Sequence, residues 1–184
     1  MSEVWFTSDT HFYHNRILEF CGDTRQGETT EEMNDLMVEA WNSVVKKGDR
    51  VYHTGDFCFK GKAAIKEIKG RLNGDIHLVF GNHDQIIRKS KEISEMFTSV
   101  QQMKHLKIGE HRFILCHFPI SEWWDCHQGT MMIHGHCHGG ATNVNYNYRI
   151  MDVGIDARKD NLMLPFHIEE VVENLKDRDI LPHH

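Results

Sequence analysis

The chain has 184 residues, with Lys plus Arg 21 against Asp plus Glu 27 and a formal charge of −6. A chain of that length buries roughly 70% of the surface it exposes when unfolded, so it needs no covalent staple, and it reads as one domain, residues 1–184. The acidic balance argues against a protein that grips long nucleic acid by counterion release, while leaving room for a small phosphorylated ligand in a local positive site.

Five cysteines, an odd count with no C-x-x-C pair, suit a reducing compartment. No apolar run approaches the roughly 18 residues of a membrane span. The opening Met1-Ser2-Glu3-Val4-Trp5-Phe6 lacks the basic and apolar regions of a signal peptide. These features point to a soluble cytoplasmic protein and leave its oligomeric state open. Histidines number 15 and outnumber the 14 glycines; His183 and His184 end the chain and read as tag remnants.

In chain order, residues 4–8 read as a buried strand. Residues 28–47 read as a helix, because Met33, Leu36, Met37, Ala40, Trp41 and Val44 recur at spacings of three and four. Thr29 with Glu32 is a capping-box signature. A strand at 50–54, a basic helix at 63–72, a strand at 75–80 and a helix at 85–97 follow. Residues 100–108 and 111–117 form a hairpin about Gly109-Glu110. Strands at 130–134 and 148–153 precede a last helix, 165–176, with Pro165 in its first turn, where a missing N–H costs nothing. That order predicts a parallel first half and an antiparallel second half, with ligands bound at the strand-to-helix loops.

Five segments offer metal-type ligands just after an apolar strand: Asp9-Thr10-His11, Gly55-Asp56, Gly81-Asn82-His83-Asp84, Cys116-His117 and Gly135-His136-Cys137-His138. In extended backbone, residues two apart point to the same side, so Asp9 and His11, and likewise His136 and His138, aim at one point while Thr10 and Cys137 turn away. Each pair alone is a weak signal, since D-x-H and H-x-H recur by chance. Five at successive strand ends are not weak. A buried Asp56 without a partner would cost several kcal/mol or change its pKa, and a bound dication removes that cost.

The ordered series Asp9-x-His11, Gly55-Asp56, Gly81-Asn82-His83-Asp84, His117 and Gly135-His136-x-His138 resembles the calcineurin-like metallophosphoesterase superfamily. The short chain and its Phe6-Thr7-Ser8-Asp9-Thr10-His11-Phe12 opening are similar to small single-domain microbial and phage members. The resemblance implies an α/β fold, a four-layer α-β-β-α sandwich of two mostly mixed sheets flanked by helices, with two divalent metal ions at the strand ends. It implies Asp9, His11 and His138 as ligands of one ion, Asn82, His117 and His136 as ligands of the other, and Asp56 as the bridge between them. Carboxylate, imidazole and one amide oxygen suit Mn²⁺ first, with Fe²⁺, Zn²⁺ or Ni²⁺ as the other ions of that class, over copper(I) or a closed structural zinc site.

Two such ions roughly 3.5–4 Å apart share a water, lower its pKa and hold the hydroxide in line with phosphorus. The resemblance places His83 beside the leaving group as proton donor or charge stabiliser, with Asp84 orienting it and favouring its protonated form. The implied activity is hydrolysis of a phosphate ester, a nucleotide-type phosphodiester ahead of a phosphomonoester. The alternative of another class is a non-catalytic protein-binding module on the same scaffold.

His14, Asn15 and Arg16 stand where they could touch substrate phosphate, or they could open a helix through Ile17, Leu18 and Phe20. His53 and His134 read as supporting or core histidines, and Cys58, Cys116 and Cys137 as small core residues. Trp123 and Trp124 either pack or stack on a base. Lys60, Lys62, Lys66, Lys69 and Arg71 do not share one helical face and read as solvated.

Overall fold

The computed structural model describes residues 2–183. Val4–Thr7 (β1), Arg50–His53 (β2), Asp75–Val79 (β3) and Ser99–Gln101 (β4) pair in parallel in the order β4-β3-β2-β1. A second sheet runs in the order β5-β6-β7-β8, from Met103–Ile108 (β5), His111–Cys116 (β6), Met131–His134 (β7) and Ile150–Asp152 (β8). Phe166–His167 (β9) then returns to the first sheet and pairs antiparallel with β1. Both sheets are therefore mixed, and helices flank them.

Period-two alternation assigns the faces of the first sheet. Val51, Ile76 and Leu78 face helices α2 (Thr30–Val44), α3 (Lys62–Arg71), α4 (Gln85–Lys89) and α5 (Lys91–Ser94), packing against Met33, Trp41, Ile65, Ile68, Ile87 and Ile93. Val4, Phe6 and Tyr52 face the other way, toward Phe113, Leu115, Met131 and Ile133 of the second sheet. The short α1 (Ile17–Phe20) follows β1, and α6 (Ile168–Leu175) adds Val171 and Leu175 to the inter-sheet core. The far face of the second sheet, Ile114, Met132 and Ile150, is covered by Trp123 and Cys126 of the loop that carries the 3₁₀ turn Cys126–Gln128. No helix among the described residues is long and apolar enough to cross a membrane.

The cap of α2 is as the sequence suggests, with one displacement. The Thr29 side chain accepts the Glu32 N–H, and the Glu32 carboxylate reaches back to the N–H of Glu28.

Four expectations are corrected. The helix expected at 85–97 is two helices, because Ser90 is extended (φ −115°, ψ 105°) and its carbonyl caps the second by accepting the Ile93 and Ser94 N–H groups. The strand expected at 100–108 is two strands, since the chain leaves the first sheet after Gln101 and enters the second at Met103. The second half is not antiparallel beyond the β5–β6 hairpin: β6, β7 and β8 are parallel, because the connections 117–130 and 135–149 are long enough to cross over without a helix. Finally, Pro165 precedes an edge strand rather than opening a helix; His167 caps α6, and Phe166 is buried between the sheets. An absent N–H beside an edge strand loses no ladder bond.

Candidate metal centre

Because β1, β2 and β3 run parallel, their carboxyl ends share one edge, and the ends of β6 and β7 meet them there. Hydrogen bonds knit the loops together. The Asp9 N–H donates to the Gly55 carbonyl at 2.9 Å, the His11 N–H to the Asp56 carbonyl at 3.0 Å, and the His136 N–H to Asp9 Oδ2 at 2.9 Å.

The turns that aim the side chains are left-handed. Asp9 (φ 53°), His11 (48°), Asp56 (58°), His136 (71°) and His138 (48°) all have positive φ, a conformation that costs a non-glycine residue about 1–3 kcal/mol. The extended-backbone reason for Asp9 and His11, or His136 and His138, sharing a side is thus corrected: tight turns aim them. Two glycines make room for the carboxylates. A Cβ on Gly135 would fall 1.9 Å from Ser8 Oγ and 2.4 Å from Asp9 Oδ2, and one on Gly81 would fall 2.1 Å from Asp56 Oδ1.

The seven residues singled out as ligands come together. Ligand atoms of Asp9, His11 and His138 lie within 4.8 Å of one another, as do those of Asp9, Asp56 and His117. Asp56 Oδ2 sits between the halves, 3.7 Å from His11 Nε2 and 3.5 Å from His117 Nε2. Asn82 Oδ1 is 2.8 Å from His117 Nε2 and 3.1 Å from His136 Nδ1.

The electrostatics fit a cation. Asp9 Oδ1 and both ring nitrogens of His11 are buried without a hydrogen-bond partner, an arrangement that costs about 1–3 kcal/mol per group. Burial pushes the Asp9 carboxyl up to about 8 and, with the nearby Arg25 guanidinium, holds His11 far below the ordinary histidine range. Burial also raises Asp56 and lowers His117 to about 4, so the imidazole is neutral and a lone pair is free. The His117 Nδ1–H donates to the Thr54 carbonyl at 2.8 Å and leaves Nε2 for the site. A divalent ion bound by Asp9 Oδ1 and His11 Nε2 would satisfy two of the three orphaned atoms and offset the clustered carboxylates.

His83 stands at the rim. Its side chain is 46% exposed, Nε2 lies 3.9 Å from Asp56 Oδ2, and its backbone N–H donates to Asp56 Oδ1 at 2.8 Å. Asp84 does not orient it, which corrects the expectation. Its buried carboxylate instead accepts the N–H groups of Gly81 (2.8 Å), Asp56 (2.9 Å) and Phe57 (3.0 Å), so it clamps the two loops that present Asp56 and Asn82.

Of the trio after the first motif, only His14 lies against the centre, stacked on Phe59 at 3.9 Å. Arg16 is exposed, capped over Phe20 and paired with Glu19 at 3.0 Å, and Asn15 is exposed. Trp123 is core, donating to the Thr130 carbonyl, and Trp124 lies beside His105. His53 is fully buried, bonded to Thr10 Oγ1 and the Gly55 N–H, and His134 is bonded to the Gly135 carbonyl. Among the basic residues of α3, Arg71 pairs with Asp35 and Glu67, and Lys66 with Glu92.

Several site residues escaped the sequence reading. Phe59 packs between His14 and His83, and Phe118 edges against His136 at 4.7 Å. Asp156 and Arg25 support His138 and the first motif, and Cys21 lies 3.8 Å from His138 Nδ1. One signal was present: Gly154-Ile155-Asp156 follows β8 much as Gly55-Asp56 follows β2.

Two mixed sheets flanked by helices, with aspartate, asparagine and histidine donors gathered beyond the strand ends, are the architecture of phosphoesterases. The chain belongs to the calcineurin-like phosphoesterase superfamily, whose domain matches residues 3–154. It is 34% identical over 140 residues to protein MJ1445 of Methanocaldococcus jannaschii, covering 75% of this chain and 70% of that one. With the Gene 66 protein of Mycobacterium phage L5 it shares 29% identity over 186 residues, covering 85% and 88%. Among solved structures, AQ665 of Aquifex aeolicus matches the fold with a TM-score of 0.71 at 24% identity, covering 94% of this chain and 99% of that one.

Proposed function

We propose that the protein is a dinuclear metal-dependent phosphoesterase acting in the cytoplasm on a small phosphorylated substrate, with a nucleotide-type phosphodiester preferred to a monoester and Mn²⁺ as the preferred ion. The observation that carries this reading is the convergence of seven donors, two of which, Asp9 and His11, have buried atoms with no protein partner. Asp9, His11 and His138 would hold one ion, Asn82, His117 and His136 the other, and Asp56 would serve both. When bound, the ions would supply Lewis-acid charge neutralisation and an acidified water.

The chain's own groups do the rest. Asp56 is tied to the His83 backbone, so the rim imidazole keeps a fixed relation to the site. The Phe59 ring, 4.3 Å from His83, limits its rotation. From there the half-exposed ring can donate a proton to the departing oxygen, which a diester with a poor leaving group needs most. Diester preference is supported by that need.

The test is hydrolysis of a chromogenic diester and monoester with added Mn²⁺. We expect turnover of both, the diester faster. We also expect His83→Ala, with metal binding intact, to lower kcat by about 10²–10⁴-fold on a diester with an alkoxide leaving group and by less on the chromogenic diester, whose phenolate departs without a proton. No turnover of either ester by metal-loaded protein would refute the enzyme reading.

A further inference from the structure

Asp156 is a buried carboxylate on the 3₁₀ turn Ile155–Ala157, and all its capacity is used. Oδ1 accepts from Thr24 Oγ1 at 2.6 Å and from Arg25 Nε at 3.0 Å. Oδ2 accepts from Arg25 Nη2 at 2.7 Å and from His138 Nδ1 at 2.7 Å. Arg25 is equally committed: beyond Asp156 it donates from Nη2 to the Asp9 carbonyl at 2.7 Å and from Nη1 to the Thr10 carbonyl at 2.9 Å. One buried ion pair therefore ties the first motif to the last histidine of the fifth, residues far apart in sequence and on different sheets.

We infer that Arg25 and Asp156 are positioning residues that set the metal affinity of the Asp9, His11 and His138 half of the centre. The inference rests on the metal-binding reading above. Asp156 accepts the Nδ1 proton of His138, which leaves Nε2 as the nitrogen an ion would take in place of its proton, and Arg25 holds the backbone that presents Asp9 and His11. In the other half, His117 Nδ1 donates to the Thr54 carbonyl rather than to a carboxylate. Although Cys21, His138 and Asp156 cluster closely enough to hold an ion, the carboxylate's oxygens are already saturated and Arg25 adds a cation beside it. That cluster is a support rather than a site of its own.

Calorimetric titration of metal-stripped protein with Mn²⁺ tests this. Wild type should take two equivalents. Asp156→Asn should weaken one of them by about 10–100-fold, the range seen when a group behind a ligand is removed, and leave the other unchanged. Cys21→Ala should still take two equivalents. Equal affinities in Asp156→Asn and wild type, or equal loss at both sites, would overturn the inference, whereas a wild type that binds no metal would instead refute the metal-centre reading. If Asp156→Asn does not fold, ¹⁵N-histidine spectra of stripped wild-type protein decide: His138 should carry its proton on Nδ1, and a proton on Nε2 alone would be the contrary result.

Discussion

Substituting Gly135 by alanine adds a single carbon, and its consequences follow from two distances. The new Cβ would lie 1.9 Å from Ser8 Oγ and 2.4 Å from Asp9 Oδ2, where ordinary contacts exceed 3.4 Å. Ser8 has little freedom, being fully buried with its hydroxyl on the Gly55 carbonyl. Asp9 Oδ2 is held by the His136 N–H at 2.9 Å. The turn carrying His136 must therefore retreat. Overpacking costs about 1–3 kcal/mol, and losing a hydrogen bond to a buried carboxylate adds roughly 1.5–3 kcal/mol, for a total of about 2.5–6 kcal/mol. At about 2–4 °C per kcal/mol for a chain of this size, the metal-free Tm should fall by about 5–24 °C. Because the displaced turn carries His136 and His138, Mn²⁺ affinity should fall at both sites. Scanning calorimetry of the stripped protein and Mn²⁺ titration of the folded variant measure the two effects separately. A Gly135→Ala protein with wild-type Tm and two wild-type metal affinities would show that the tight seat around Asp9 is not needed.

Two further outcomes follow from the same geometry. Asp56→Asn removes the charge that lies 3.7 Å from His11 and 3.5 Å from His117, so both metal affinities should drop and hydrolysis should vanish; a variant retaining two tightly bound ions would contradict the bridging position. In the metal-stripped protein, Asp9 is raised to about 8 by burial, and His138 is raised to about 10, where burial, which lowers it, is outweighed by the hydrogen bonds to Asp156 and Cys21 together with the nearby Asp9 and Asp156 carboxylates. A group raised on folding stabilises below its unfolded pKa and loses that contribution as pH rises through the folded value. Stability should therefore decline from pH 7 to 9, by roughly 1.4 kcal/mol per pH unit for each extra proton held, and saturating Mn²⁺ should flatten the decline because the ion takes the proton's place. Histidines lowered by burial, such as His117 at about 4, act only on the acid side, so a stripped protein equally stable at pH 7 and 9 in urea melts would refute the account.

The first sheet was legible because its strands are short apolar runs separated by amphipathic helices, and parallel pairing follows from that alternation. What failed did so for tertiary reasons. Nothing local marks Gln102 as the point where one extended stretch changes sheets, since β4 and β5 have the same kind of sequence on either side. Parallel pairing of β6, β7 and β8 needs crossovers, and here these are loops without a helical period to announce them. Pro165 suits a helix start as well as an edge strand; burial of Phe166 against Phe6 across from it decides between them.

The donors themselves were visible because each follows a strand, but the reason they converge was not the one the spacing suggests. Alternation in extended backbone would aim Asp9 and His11 together at no cost, yet the chain adopts left-handed turns at five of the donor positions. Such turns persist only where something else holds them, and the holders are identifiable. Asp84 clamps the Asp56 and Gly81 loops through three N–H groups, and Arg25 clamps the Asp9 turn through two carbonyls. Asp84 could be misassigned to His83 because adjacency in sequence was the only relation on view, and Arg25 had no neighbour that hinted at a use. Asp84 spends its capacity on backbone N–H groups, and Arg25 divides its own between two backbone carbonyls and the Asp156 carboxylate, all partners brought near only by folding. A motif read along the chain names the atoms that would touch an ion; the buried charges that keep those atoms in strained turns are specified by the fold, and so a substitution at Arg25 or Asp156 should act on metal affinity without altering any of the seven donors.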